Sequence, residues 1–163
     1  MRAISWFAGI GGFDLALRRL DVEVVGACEI DPFCRRIYEE RFGRPSWFPE
    51  DITRVEASEI QEADIWVGGP PCQSFSVAGR RLGLADSRGN LFLRLLRLAA
   101  AAASPPRWLL LENVPGILNA EGGSAFDAIL GALADGGYPH AAWRVLDARR
   151  FGVPQRRRRV FIL

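Results

Sequence analysis

The apolar run Ile65-Trp66-Val67-Gly68-Gly69 passes directly into Pro70-Pro71-Cys72-Gln73. A strand that is apolar at every position is one covered on both faces, the habit of a parallel sheet enclosed by helices. Two successive prolines then hold φ at about −65° and withdraw two backbone donors, so neither strand nor helix continues and the turn resists relaxing. A thiol shown on such a turn, followed by the polar Gln73-Ser74-Phe75-Ser76, is placed for chemistry rather than for packing. A second uniformly apolar run, Trp108-Leu109-Leu110-Leu111, ends in Glu112-Asn113-Val114-Pro115.

The rest of the chain supplies the helices that such strands need. Residues 3–7 read as a strand, 9–12 as a tight turn, and 13–20 as a helix with Phe13, Leu17 and Leu20 on its apolar side. A second strand is expected over 23–28. Asp31 then caps a helix that begins at Pro32, runs toward Phe42 and stops at Gly43. A weakly marked third strand is expected at 46–48, with 65–67 as the fourth and 108–111 as the fifth. Leucines at helical spacing over 91–98 predict a core helix capped by Asn90. Another helix is expected over 124–134, and further strands at 143–146 and 160–163. No repeat or linker interrupts this alternation, which predicts one doubly wound α/β domain over residues 1–163.

A chain of 163 residues can bury a core without disulfides or metal. Its three cysteines, Cys28, Cys34 and Cys72, lack metal-ligand spacing, and His140 is the single histidine, so no metal site is expected and a reducing cytoplasm fits best. The longest apolar tract, 95–103, is broken by Arg97 and too short for a bilayer, so the chain reads as neither secreted nor membrane-bound. The net charge of +2 says little about partners, and the use of arginine for every one of 21 basic residues suits a GC-rich coding sequence. Their clustering is more informative: Arg149, Arg150 and Arg156 to Arg159 gather near the end of the chain, where forked guanidinium donors suit phosphate or base recognition.

Several constellations carry chemistry. Phe7-Ala8-Gly9-Ile10-Gly11-Gly12 follows a strand and opens a helix, so backbone can approach a ligand closely. Glu29 follows Gly9 by 20 residues, the offset of a carboxylate that holds ribose hydroxyls. Asp51 either accepts from an adenine amino group or caps a turn. Glu112, at the end of the strand beside the Cys72 strand, puts a carboxyl opposite the thiol and can deliver a proton to a ring nitrogen. In the run from Gln155 to Arg159, strand alternation sends Arg157 and Arg159 to one side and leaves Arg156 and Arg158 as a solvated face. Glycines and arginines over 77–90 suit a mobile basic loop. Cys28 and Cys34 read as small buried residues and His140 as a loop residue.

The segments Phe7-Ala8-Gly9-Ile10-Gly11-Gly12-Phe13, Gly69-Pro70-Pro71-Cys72-Gln73-Ser74-Phe75-Ser76, Glu112-Asn113-Val114 and Gln155-Arg156-Arg157-Arg158-Arg159 together resemble the cytosine-5 DNA methyltransferases. The resemblance covers essentially the whole chain and implies a Rossmann-like S-adenosylmethionine-dependent methyltransferase fold. It makes Phe7, Gly9, Gly11, Glu29, Ile30, Asp51, Ile52, Pro71 and Leu91 the cofactor lining. It makes Cys72 the nucleophile toward carbon 6 of a flipped cytosine, Glu112 the group at ring nitrogen 3, Arg159 the partner of the exocyclic oxygen and Arg157 a support for the site or a phosphate. Ser76, Arg80, Arg81 and Gln155 become nucleic-acid contacts, with the loop over 76–90 closing on the flipped base. Ala78 stands where the family often has a second serine.

The resemblance further implies double-stranded DNA as partner and a role in bacterial DNA methylation or restriction-modification. A tRNA cytosine-5 methyltransferase shares the mechanism and stays open, as does an inactive or partner-dependent subunit. A usual family member continues into a target-recognition region and a terminal segment that have no counterpart before Leu163, so the expectation is a C-terminally incomplete catalytic domain: half of a split enzyme whose complementing chain carries recognition, a truncation, or an inactive remnant, with split and truncated left open. A nicotinamide-dependent oxidoreductase would use the glycine turn and Glu29 but leaves Pro-Pro-Cys-Gln unexplained.

Overall fold

The computed structural model describes residues 1–71 and 91–163. Among them, strands β1 (Arg2–Trp6), β2 (Glu23–Cys28), β3 (Ile65–Gly68), β4 (Trp108–Asn113), β5 (Trp143–Asp147) and β6 (Arg158–Ile162) form one sheet in the order β2-β1-β3-β4-β6-β5. β1 pairs in parallel with β2 and β3, and β3 with β4; β6 runs antiparallel to both β4 and β5. The helices are α1 (Gly12–Arg19), α2 (Pro32–Phe42), α3 (Leu91–Ala101) and α4 (Ser124–Asp135). This is the expected doubly wound, mostly parallel arrangement. The expected strand at 46–48 does not form; the segment meets β2 through an isolated Gly26–Trp47 bridge, with Ala27 N donating to Trp47 O at 3.0 Å and Ser46 Oγ to Val25 O at 3.3 Å. Pro45 and Pro49 flank it, and neither can donate to a ladder.

Both faces of the sheet are covered. Ile4, Trp6, Trp66 and Leu111 meet the apolar sides of α3 and α4 through Leu95, Leu98, Phe126 and Ile129. On the opposite face Ala3, Ile65 and Val67 pack with Leu17 of α1. β4 is less enclosed than its composition implies, since Trp108 at its start is 49% exposed. Among the described residues no helix is long and apolar enough to cross a membrane.

The α1 stripe differs from expectation in an informative way. Leu20 falls beyond the helix end and is 73% exposed, while Asp14 in the first turn is 1% exposed. The Asp14 carboxylate accepts from Ser5 Oγ at 2.8 Å and from Tyr38 Oη at 2.6 Å, both bonds buried. One acid therefore joins β1, α1 and α2 under the glycine turn. Burial pushes the Asp14 pKa above the usual carboxylate value, against the opposing effect of the two hydroxyl donors. Burial, followed by the Asp14 charge, also raises the Tyr38 phenol.

Parallel pairing brings the carboxyl ends of β1, β3 and β4 to one edge of the sheet, the edge where doubly wound folds bind ligands. β6 is reversed, so its first residues reach that same edge; β5, reversed again, brings its last residue there.

An acid whose folded pKa is raised is easiest to bury when protonated. Its contribution is fully present below the unfolded pKa and is lost as pH rises through the folded value. In urea unfolding across a pH series, the stability of the native chain relative to Asp14→Asn should fall from about pH 4 upward and then level off. A difference independent of pH would refute the buried titration.

Candidate active site

The first half of the site is built where β1 and β2 end. Phe7 and Gly9 adopt left-handed backbone at φ 54° and 56°, turning the chain sharply between β1 and α1. Gly9 N donates to Glu29 Oε2 at 2.7 Å, and Asp31 N donates to Glu29 Oε1 at 2.8 Å, so the carboxylate is fixed by backbone on both sides. A Cβ on Gly9 would meet nothing within 4 Å, which leaves open space in front of the turn. Gly11 differs, because a Cβ there would lie 2.2 Å from the Phe42 ring; its bareness lets α2 pack.

Arg35 organises the neighbouring segment. Its Nη1 donates to Glu29 O at 3.0 Å and Pro49 O at 2.9 Å, its Nη2 donates to Phe48 O at 2.9 Å, and the guanidinium lies 3.9 Å over the Phe48 ring. This clamp adds to the two backbone bonds, Ala27 N to Trp47 O and Glu29 N to Pro49 O, that are present in place of a regular ladder. Asp51, just beyond, accepts from Thr53 N at 2.9 Å and Thr53 Oγ1 at 2.7 Å. Of the two alternatives for Asp51, the turn cap is therefore present. The Thr53 bonds, with help from Arg54, hold its pKa below the usual carboxylate value and keep it an acceptor. Asp51, Ile30, Pro49 and Val55 line a groove of about 440 Å³, within the usual size range of small-molecule sites. Ile52 does not line this groove: its side chain is 4% exposed in the main core, and its carbonyl accepts from Arg94 Nε at 3.2 Å. Arg94 also bonds the Val55 carbonyl, so α3 holds the floor of the groove.

The second half lies where β3, β4 and β6 meet. Gly68 pairs with Leu111, which sets Gly69 beside Glu112; Glu112 Oε2 is 3.2 Å from where Gly69 would carry a Cβ. Asn113 Nδ2 donates to Pro70 O at 3.1 Å and pins the proline turn to β4. Glu112 Oε1 lies 2.8 Å from Arg159 Nε and 3.6 Å from Arg157 Nη2. Arg157 and Arg159 thus share a side as strand alternation implies, although Arg157 is exposed like Arg156 and Arg158 and only Arg159 is half-buried. Gln155 is exposed, and its carbonyl accepts from Arg157 N at 2.9 Å. Pro71 is exposed, and Leu91 packs half-buried against the main core. Cys72, Ser76, Arg80, Arg81, Ala78 and the expected Asn90 cap lie outside the described residues.

The other thiols are unsuited to nucleophilic work. Cys28 is 3% exposed, and burial, with the nearby Glu29 and Asp51 charges, pushes its pKa up to about 12. Cys34 is half-buried rather than buried, and desolvation followed by Asp31 raises its pKa as well. Sequence reasoning missed Arg35, Arg94 and the side-chain bond of Asn113. Arg35 stands four residues after the Asp31 cap, one turn along the same side of α2, which is the one local sign that it faces the β2 end. Arg94 reaches across 42 residues, and no local pattern marks it.

The model of the C-5 cytosine-specific DNA methylase family matches residues 1–163. The chain is 35% identical to the Type II methyltransferase M.HhaI of Haemophilus parahaemolyticus, covering 100% of this chain and 48% of that one. It is 37% identical to M.AquIA of a Picosynechococcus strain, covering 99% of this chain and 71% of that one. The fold matches Dnmt2 methyltransferase of S. pombe with a TM-score of 0.76 at 24% identity, over 99% of this chain and 50% of that one. It matches Spodoptera frugiperda DNMT2 with a TM-score of 0.73 at 25% identity, over 99% and 48%. The chain spans about half the length of most of these relatives. With a methylase family model matched from end to end, and with its glycine turn and paired strand ends in the same fold as the solved methyltransferases, the chain belongs to the C-5 cytosine-specific DNA methylase family.

Proposed function

We propose that this chain is the cofactor-binding and catalytic portion of a DNA (cytosine-5)-methyltransferase, acting in the bacterial cytoplasm on double-stranded DNA, in DNA methylation or restriction-modification. The observation that carries this reading is Glu112, held between Arg159 and Arg157 beside the proline turn that leads into Cys72. A carboxyl and two guanidiniums on one sheet edge suit the polar edge of a pyrimidine. The open space at Gly9, the fixed carboxylate of Glu29 and the groove at Asp51 suit a nucleoside cofactor.

S-adenosylmethionine, when bound, supplies the methyl group. Glu29 would hold its ribose, since each carboxylate oxygen spends one lone pair on a backbone donor and keeps another for a hydroxyl. Asp51 and Ile30 would hold the adenine in the groove, and Phe7, Gly9 and Pro71 the remainder. The target cytosine must leave the stack to be reached. The Cys72 thiolate adds to carbon 6, forming the carbon–sulfur bond as electrons move through carbon 5 into the ring. Glu112 hydrogen-bonds and protonates nitrogen 3 as charge builds there, and Arg159 holds the exocyclic oxygen. After carbon 5 has been substituted, its proton passes to solvent water, the ring double bond reforms as the thiolate leaves, and nitrogen 3 returns its proton to Glu112. An ordinary thiol with a pKa of about 8.5 is only a few per cent ionised at neutral pH, so Arg157 and Arg159 assist by their charge. Ser76, Arg80, Arg81 and Gln155 would hold phosphates. Target recognition would come from a further segment or a complementing chain, corresponding to the half of M.HhaI that this chain does not span.

Mixed with the C-terminal portion of a relative such as M.HhaI, the chain should become covalently attached to a duplex that carries 5-fluorocytosine. Cys72→Ser should abolish attachment, and Glu112→Gln should slow it on the order of a hundredfold. Attachment that persists in Cys72→Ser, or that prefers matching RNA to DNA, would overturn the reading. Arg35→Met removes three carbonyl bonds from a charged donor, so stability should fall by about 3 kcal/mol in urea unfolding. S-adenosylmethionine affinity measured by calorimetry should fall about tenfold or more with it, while unchanged affinity would leave the clamp a purely structural role.

A further inference from the structure

The outer strand β5, the turn after it and the first residue of β6 enclose an open groove of about 980 Å³ that the chemistry above does not use. Five arginines line it, Arg144, Arg149, Arg150, Arg156 and Arg158, against the single carboxylate of Asp147. Arg149 takes that carboxylate at 2.8 Å, leaving the other four with no salt bridge among the described residues. Phe151, 65% exposed, lies in the same lining.

Charges on an edge strand are ordinarily a device against sheet-to-sheet pairing. That account explains Arg144, which stands on β5. It does not explain Arg150 and Arg156, which lie off the strands, nor a charge excess of this size. Position adds a second argument. β5 ends and β6 begins at the edge where Glu112 meets Arg157 and Arg159, so the groove lies on the outer side of that same edge.

We infer that this groove holds the DNA backbone to one side of the target base, through phosphate contacts from Arg144, Arg150, Arg156 and Arg158. The inference rests on the reading of the site as a DNA cytosine site and adds where the flanking duplex runs. Adjacent strands are about 4.8 Å apart, so β5 lies about 10 Å from β4 along the edge. At roughly 3.4 Å per nucleotide along one strand, a duplex whose target base sits at Glu112 reaches the groove about three nucleotides away. Guanidinium forks suit phosphate oxygens, and an exposed aromatic beside them suits a sugar face.

The test is the salt dependence of duplex affinity, read by fluorescence anisotropy on the chain and on the triple variant Arg144→Gln, Arg150→Gln, Arg158→Gln. All three side chains are exposed, and retained circular dichroism and thermal unfolding would verify the fold. Each lost phosphate contact lowers the slope of log affinity against log salt by about 0.9, so the variant's slope should be shallower by about 2 to 3. Trimming the duplex to two base pairs on one side of the target should weaken the native chain, for one of the two sides only, and leave the variant unaffected. An unchanged slope, or a variant that keeps its DNA slope but no longer binds the complementing C-terminal portion, would overturn the inference in favour of a protein interface. Cys72-dependent attachment with an unchanged slope removes the groove and leaves the catalytic reading. Failed attachment with the expected slope change does the reverse, and absence of any duplex binding removes both.

Discussion

The ion pair between Glu112 and Arg159, 2.8 Å long, depends on one strand running the wrong way. In a wholly parallel sheet, the amino end of β6 would lie at the edge opposite Glu112, and its arginines would be a strand length away. Because β6 enters antiparallel between β4 and β5, Arg157 and Arg159 arrive where β4 ends. Antiparallel pairing also sets their face: Glu112 stands opposite Phe161, and Arg159, two residues earlier, is its diagonal neighbour on the same side. The acid, its guanidinium partners and the proline turn are therefore one consequence of strand direction and register.

The remainder of the site hangs from polar groups that replace missing regular structure. Where a third strand would have paired with β2, Arg35 bonds the carbonyls of Glu29, Phe48 and Pro49. Arg94 does the same for Ile52 and Val55 from α3. Charged donors serve here because carbonyls without a ladder are costly to bury, and a guanidinium can satisfy several at once. Asp14 plays the complementary part from below, gathering the hydroxyls of Ser5 and Tyr38 so that β1, α1 and α2 meet at a set angle beneath Gly9. The cost is a carboxyl whose burial opposes its charge.

Much of this was legible before any coordinates. The uniform runs at β3 and β4, the Asp31-Pro32 start of α2 and the Gly43 stop are local signals that the structure reproduces. That Arg157 and Arg159 share a side followed from strand alternation, whereas their meeting with Glu112 had no local sign. The third strand misled because Trp47 and Phe48 carry strand-like side chains, while the flanking prolines deny the segment its donors. Leu20 left its expected apolar stripe because the helix ends at Arg19, and Asp14 is buried instead because a partner for the acid comes from Tyr38, 24 residues on.

By itself the sequence determined which segments alternate and the family to which the chain belongs, and it nominated residues for the chemistry, since turns, caps and motif spacings are properties of neighbouring residues. Only the tertiary structure decided which of those residues share an edge, which carbonyls need an arginine, and that Arg144 joins the basic cluster of residues 149–158 in lining one groove at the outer strand. Those outcomes depend on strand order and direction, which bring together residues far apart in the chain and leave no local trace in it.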